Sequence, residues 1–179
     1  MRVLFIGNSH TYYNDMPHLF AQICREKGID TEVTMLAHGG KGWDFHLEEP
    51  EVKFNIEHGG YDAVILQHKA HPMGDLSVMQ QCGKELIRRV QEAGARPVLY
   101  MTWTTKTDGE AAQPAMSDAY RKLQQETGCA LAPVGERWWA FHRAHPETEL
   151  YAQDGQHASP AGSQLAAAVI AETLLMQNS

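Results

Sequence analysis

Three residues near opposite ends of the chain have the types and spacing needed for acyl transfer. Ser9 follows an apolar stretch, and Asp154 and His157 lie three positions apart on a glycine-containing segment. A serine hydroxyl is a weak nucleophile at neutral pH unless an adjacent base, most often His, accepts its proton. That His needs an acceptor such as Asp on its second ring nitrogen. The pattern predicts Ser9 as nucleophile, His157 as general base and Asp154 as the carboxylate that orients it.

The elements that must position these residues follow an alternating pattern of short β-rich runs and helical runs. Strands are predicted over 2–7, 31–37, 61–67, 96–103 and 129–134, and helices over 15–28, 76–94, 114–128 and from residue 160 onward, with a less regular stretch between the second and third strands,. Such alternation implies right-handed βαβ units and a parallel sheet. We therefore predict an α/β fold, a three-layer α/β/α sandwich with a five-stranded parallel sheet, formed by residues 1–179 as a single domain.

The polar candidates fall at the ends of predicted strands. Ser9 lies just past the first strand, Gly40 just past the second, and Gln67 and His68 at the end of the third. In open parallel sheets, ligands bind at the carboxyl ends of the strands, and the helix after residue 159 starts at that same edge. The sequence therefore predicts one site along this edge.

Three segments resemble conserved blocks of a known family. "FIGNSHT", "GGKGW" and "DGQHASPAG" are similar to blocks of the SGNH hydrolases, also called GDSL-like esterases and lipases. The resemblance implies the flavodoxin-like SGNH fold, with Ser9 as nucleophile, His157 as base and then acid, and Asp154 as its partner. It also implies that the backbone N–H groups of Ser9 and Gly40 donate hydrogen bonds to the oxyanion.

A fourth block departs from the family pattern. Where the family has G-x-N-D, with the Asn side chain as a further oxyanion donor, this chain reads "VILQHKAHP". Gln67 carries the same amide on a longer arm, so we predict it as the replacement donor, with His68 as the other candidate. Tyr12, Trp43 and His68 are the predicted substrate-binding residues, because they lie close in sequence to the proposed site.

Composition narrows the class of partner. The formal net charge of −7 argues against nucleic acid or an anionic membrane as the partner, because both would repel the chain. Three widely spaced cysteines without a CxxC pair argue against a zinc ribbon, and we expect no metal and no cofactor. The sequence contains neither a signal-peptide pattern nor an apolar run long enough to span a membrane, which predicts a cytoplasmic protein. The oligomeric state is left open.

The predicted activity is hydrolysis of short-chain acyl esters, with acetyl esters of carbohydrates or other small molecules as the substrate class. An alternative is a ligand-binding protein that keeps the SGNH fold with weakened catalysis, which the altered fourth block favours. A further alternative is a nucleotide-binding flavodoxin-like module with phosphate affinity at loop 39–42, although this loop has neither common phosphate-binding glycine pattern,.

Overall fold

Five parallel strands form the centre of the fold in a computed structural model that describes residues 1–176. The strands are β1 (Arg2–Gly7), β2 (Glu32–Ala37), β3 (Ala63–Leu66), β4 (Arg96–Tyr100) and β5 (Ala130–Ala132), in the spatial order β2-β1-β3-β4-β5. All four pairings are parallel. The predicted α/β fold with a five-stranded parallel sheet is confirmed. The last three residues of the predicted domain, 177–179, lie outside the described residues.

Helices cover both faces of the sheet. In chain order they are α1 (Ser9–Tyr12), α2 (Met16–Glu26), α3 (Trp43–Glu48), α4 (Pro50–His58), α5 (Leu76–Glu92), α6 (Gln113–Thr127), α7 (Val134–Ala144) and α8 (Pro160–Met176). One apolar core joins α2, α7 and α8 to the sheet, and a second joins α3, α4, α5 and α6 to its other face. Within residues 1–176, every helix is too short or too polar to cross a lipid bilayer.

Strand β1 is buried on both faces and carries the start of the candidate site. Val3 and Phe5 point into one core, and Leu4 and Ile6 point into the other. Both edges of β1 are paired, one with β2 and the other with β3. The turn that follows β1 is therefore anchored to a strand that is paired on both edges and buried on both faces.

The stretch between β2 and β3, which we expected to be less regular, contains the two short helices α3 and α4. Gly42 precedes α3, and Pro50 is the first residue of α4. Trp43 and His46 are the buried residues of α3, and each helix is too short to show an extended apolar period,. Pro50 therefore divides this stretch into two helices, and each is too short to be recognised from its apolar pattern.

Three predicted strands, those corresponding to β3, β4 and β5, extend beyond the observed strands at their carboxyl ends. β4 was predicted over 96–103 but ends at Tyr100, because β5 pairs only with Val98 to Tyr100. Met101 to Trp103 remain buried after the strand ends. The buried apolar run thus extends beyond the hydrogen-bonded part of β4. The sequence pattern alone does not show where the hydrogen bonding to neighbouring strands ends.

Candidate active site

The fold brings the three residues of the predicted catalytic group together. His157 Nε2 lies 2.7 Å from Ser9 Oγ, and His157 Nδ1 lies 2.5 Å from Asp154 Oδ2. The other carboxylate oxygen of Asp154 accepts the backbone N–H groups of Gln156 and His157, at 2.9 and 3.0 Å. A continuous hydrogen-bonded line runs from carboxylate to imidazole to hydroxyl, the geometry in which a His can take a proton from a serine.

The turn after β1 connects Ser9 to the glycine loop. Ser9 is the first residue of α1, and Asn8 caps that helix by accepting the backbone N–H of His10 at 3.0 Å. The side-chain amide of Asn8 also donates to the carbonyl oxygen of Lys41 at 2.9 Å. Asn8 therefore holds the segment that contains Gly40 against the segment that contains Ser9.

A cleft opens at this edge of the sheet. Its volume is about 380 Å³, and Ser9, Gly40, His71 and His157 are among the residues that line it. In the described part of the chain, the backbone N–H groups of Ser9 and Gly40 have no hydrogen-bond acceptor. Both residues line the cleft, so two unpaired backbone N–H donors belong to its wall.

The loop with Asp154 and His157 is held by backbone contacts. Gly155 adopts a positive φ of 68°, which L-residues rarely tolerate, and its carbonyl accepts the N–H of Lys106 at 2.8 Å,. The carbonyl of Gln156 accepts the indole N–H of Trp103 at 2.9 Å. These bonds connect the loop to the segment that follows β4.

The charges around His157 are set by burial and hydrogen bonding. Burial pushes the pKa of Asp154 upward, but the hydrogen bonds from His157 and from two backbone N–H groups outweigh it and hold the pKa at about 2,. Burial, followed by the nearby His71 and His157, lowers the pKa of His10 to about 3. At neutral pH, His157 therefore lies between an ionised carboxylate and a neutral imidazole.

Gln67 does not reach the cleft, so its predicted role as an oxyanion donor is corrected. Its side chain is fully buried, and its amide oxygen accepts both the backbone N–H of Asn8 and the hydroxyl of Thr11, each at 2.9 Å. Its amide nitrogen donates to the carbonyl of His68. The amide that could have faced the substrate instead holds the turn before Ser9.

Two of the three predicted substrate-binding residues belong to the core. Trp43 is fully buried and packs against Tyr120, because α3 places it on an inward-facing helix. His68 is also buried: its Nδ1 accepts the backbone N–H of Trp43, and its Nε2 donates to the carbonyl of Met73, both at 3.1 Å. Trp43 and His68 were therefore wrong as substrate-binding residues. Tyr12 is 38% exposed, with its hydroxyl beside Gly39, and its role stays a prediction.

The sequence did not predict that two rings stack on His157, although Tyr13, like Tyr12, lies close in sequence to the proposed site. Tyr13 stacks on His157 with centroids 4.1 Å apart and planes 9° apart. His10 also stacks on it, at 5.0 Å and 28°. His10 lies in α1 and Tyr13 directly follows that helix, but His157 is more than 140 positions away in the chain. Among residues 1–176, no three His, Cys, Asp or Glu side chains converge where a metal ion could bind.

Replacing Gln67 with Leu is expected to destabilise the fold. The change keeps the volume roughly constant but leaves the buried N–H of Asn8 and the hydroxyl of Thr11 without their acceptor. Each unsatisfied group costs ~1–3 kcal/mol, so the free energy of unfolding should fall by roughly 2–6 kcal/mol in a urea titration. Gln81→Leu, at an exposed position on α5, is the control and should change it by less than about 0.5 kcal/mol. Equal stability of Gln67→Leu and wild type would contradict this role.

Comparison with known proteins places this geometry in a family. No family model matches the chain, and no curated protein matches it. Among solved structures, a protein from Slackia heliotrinireducens assigned as an SGNH hydrolase is 32% identical, with a TM-score of 0.84 over 97% of this chain and 98% of that chain. The chain therefore belongs to the SGNH hydrolases.

Two more distant structures share the fold. The acetyl xylan esterase AlAXEase is 18% identical, with a TM-score of 0.73 over 95% of this chain and 98% of that chain. A lipase/acylhydrolase from Enterococcus faecalis is 15% identical, with a TM-score of 0.78 over 99% of this chain and 97% of that chain. Membership of the SGNH hydrolases supports hydrolysis as the general activity, and these two neighbours show that the fold is shared.

Proposed function

We propose that this protein is a serine esterase that removes short acyl groups, acetyl above all, from small-molecule or carbohydrate esters. One observation carries the proposal: Ser9 Oγ, His157 and Asp154 form an unbroken hydrogen-bonded line at the mouth of a cleft. Base and nucleophile are within the 2.6–3.2 Å that proton transfer requires.

Each step of the reaction has a residue to perform it. Ser9 Oγ attacks the ester carbonyl carbon while His157 Nε2 takes the hydroxyl proton. The N–H groups of Ser9 and Gly40 bind the oxyanion, and collapse of this intermediate breaks the bond to the alkoxy group, which His157 protonates as it leaves. Water then attacks the acyl-serine in the same way, which releases the acid and restores Ser9.

The dimensions of the cleft support a short acyl group. At about 380 Å³, it is near the lower end of ordinary small-molecule sites. One structural neighbour is an acetyl xylan esterase, which has the same fold. The choice of acetyl esters, and of carbohydrates as the alcohol, rests on this analogy together with the size of the cleft.

The position of Gln67 favours a second candidate function, ligand binding with weakened catalysis. With Gln67 turned into the core, the oxyanion would have two backbone donors and no side-chain amide. Loss of one such donor typically slows acyl transfer by ~10²–10³-fold. The candidate requires an ester or its analogue to bind in the cleft without turnover.

Hydrolysis of p-nitrophenyl acetate, measured together with covalent labelling, tests the two candidates. A fluorophosphonate reacts when an activated serine oxygen attacks phosphorus and displaces fluoride. For an esterase we expect saturable turnover and a single adduct that peptide mass spectrometry places on Ser9. Turnover at the buffer rate with an unlabelled Ser9 would overturn the esterase proposal and favour ligand binding.

On the acid side of the pH profile, we expect kcat/KM of the proposed reaction to depend on the loss of a single proton. Asp154 has a pKa of about 2 and His10 a pKa of about 3. Above about pH 4 the first therefore stays charged and the second neutral. Neither group therefore contributes to a loss of activity between about pH 4 and neutrality, and because the proposed mechanism has a single general base, log kcat/KM should rise there with a slope no greater than one. A slope of two would show that a second group must also lose a proton.

A further inference from the structure

The imidazole of His157 is enclosed by two aromatic rings. Tyr13 and His10 both stack on it, and within residues 1–176 no ring contact joins Tyr13 to His10. They therefore occupy opposite faces of the imidazole. His10 is buried, with a relative exposure of 7%, and its carbonyl accepts the hydroxyl of Tyr100 at 3.1 Å. The ring on the His10 face of the imidazole is therefore fixed by the core.

The Tyr13 face is fixed in a different way, by a strained segment. Asn14 and Asp15 both have left-handed backbone conformations, with φ of 52° and 55°. Such conformations cost about 1–3 kcal/mol each in residues other than glycine and persist only where other contacts hold them. Asn tolerates this region better than most residues. Two successive strained residues directly after Tyr13 point to a constraint on where its ring must lie.

Hydrogen bonds across the active-site edge provide that constraint. The side-chain amide of Asn14 donates to the carbonyl of Ala158 and to Ser163 Oγ, both at 2.9 Å. The hydroxyl of Ser163 in turn donates to the carbonyl of Tyr13 at 3.2 Å. Ala158 directly follows His157 in the chain, and Ser163 lies in the first turn of α8. The Tyr13 segment is therefore joined directly to the loop that carries His157.

We propose that Tyr13 and Asn14 are positioning residues that hold the His157 ring in line between Ser9 and Asp154. This inference rests on the proposed esterase function. The side chains of His157 and Asp154 are 21% and 42% exposed, so these two groups are not confined by burial alone. Tyr13 covers the face of the imidazole that the core leaves open, and Asn14 sets the distance between that ring and the loop.

The chemical consequence concerns geometry rather than substrate binding. Tyr13 and Asn14 are not among the residues that line the cleft, so their loss should leave KM nearly unchanged. A misplacement of about 1 Å in a catalytic group can cost ~10²-fold in rate. The expected signature is a fall in kcat with an intact substrate site.

Four variants separate positioning from general stabilisation. Tyr13→Leu removes the ring face, and Tyr13→Phe keeps it. Asn14→Gly accepts the left-handed backbone but deletes both hydrogen bonds, and Asp15→Gly changes the neighbouring left-handed residue, which is exposed and makes no side-chain capping bond. With p-nitrophenyl acetate we expect kcat to fall roughly 10–100-fold in Tyr13→Leu and Asn14→Gly, with KM within about twofold. Tyr13→Phe and Asp15→Gly should stay within about twofold of wild type in both constants.

A second measurement does not depend on turnover. A ring stacked at 4.1 Å shifts the carbon-bound protons of His157 upfield, which NMR of histidine-labelled protein detects, with His157→Gln to assign the signals. We expect the shift to remain in Tyr13→Phe and Asp15→Gly, to fall in Tyr13→Leu to the part that the stacked ring of His10 supplies, and to shrink in Asn14→Gly. If wild type does not hydrolyse the ester, the esterase proposal fails. The spectrum alone then decides whether Tyr13 and Asn14 hold the His157 ring in place.

Three results would overturn the positioning role. One is a kcat within twofold of wild type in Tyr13→Leu or Asn14→Gly, whatever the spectrum shows. Another is equal impairment of Tyr13→Phe and Tyr13→Leu, which would assign the effect to the hydroxyl. The third is an unchanged His157 shift in Asn14→Gly.

Discussion

Ser9→Ala is expected to lower kcat for p-nitrophenyl acetate by on the order of 10⁴-fold or more, because Ser9 Oγ is the hydroxyl that is hydrogen-bonded to the base His157 and would form the acyl intermediate,. The substitution removes one oxygen, which is hydrogen-bonded to His157. The backbone N–H of residue 9 stays in place, so binding and oxyanion contacts persist. Initial rates, measured with the enzyme saturated, give the comparison.

The control for this experiment is Ser77→Ala, which removes a hydroxyl at the start of α5 that bonds to Asp75. Its kcat should equal that of wild type within experimental error. Because the substitution removes one part-buried hydrogen bond, the one to His157, Ser9→Ala should unfold at nearly the wild-type temperature,. A folded Ser9→Ala variant with undiminished turnover would refute Ser9 as the nucleophile.

Asp154→Asn is expected to reduce kcat by roughly 10²–10⁴-fold while leaving the fold intact. The amide oxygen can still accept the backbone N–H groups of Gln156 and His157, which Asp154 Oδ1 accepts in the structure. Its NH₂ group, however, faces His157 Nδ1 in place of Asp154 Oδ2. A donor at that position favours the imidazole tautomer with its proton on Nε2, and this tautomer cannot take the proton of Ser9.

Asp118→Asn, at an exposed position on α6, is the matched control, because it makes the same change in charge and shape far from the cleft. Its kcat should stay within about twofold of wild type. Fluorophosphonate labelling should also slow in Asp154→Asn, because the same tautomer is needed to activate Ser9. If Asp154→Asn and Asp118→Asn had equal rates, Asp154 would have no part in orienting His157.

The oxyanion site marks where this chain departs from its family. The resemblance implies two backbone donors to the oxyanion, and the sequence predicts a side-chain amide, that of Gln67, as the third. Gln67 has the right amide but uses its oxygen to hold Asn8 and Thr11. If the chain is an active esterase, Ser9 and Gly40 supply the backbone donors, and the stability of Gln67→Leu then measures a structural role separate from the rate.

Much of the fold and the main site could be predicted from the sequence. Alternating strand and helix patterns define a parallel sheet, because a parallel crossover needs a helix between its strands. Parallel strands end at a shared edge, which predicts that Ser9 and the Asp154–His157 pair lie together although they are distant in the chain. Residue type completes the prediction, since few combinations other than Ser, His and Asp can activate a hydroxyl in this way.

The direction of individual side chains was decided only by the tertiary structure. Gln67 and Trp43 have the right chemistry for a binding site and for a core, and what separates the two roles is which partner lies within hydrogen-bonding or packing distance. For Gln67 that partner is Asn8, 59 positions away. The stacking of Tyr13 on His157 likewise depends on two left-handed residues and on contacts with α8. A short stretch of sequence shows residue types and their periodicity. The orientation of these side chains depends instead on packing against residues that are distant in the chain.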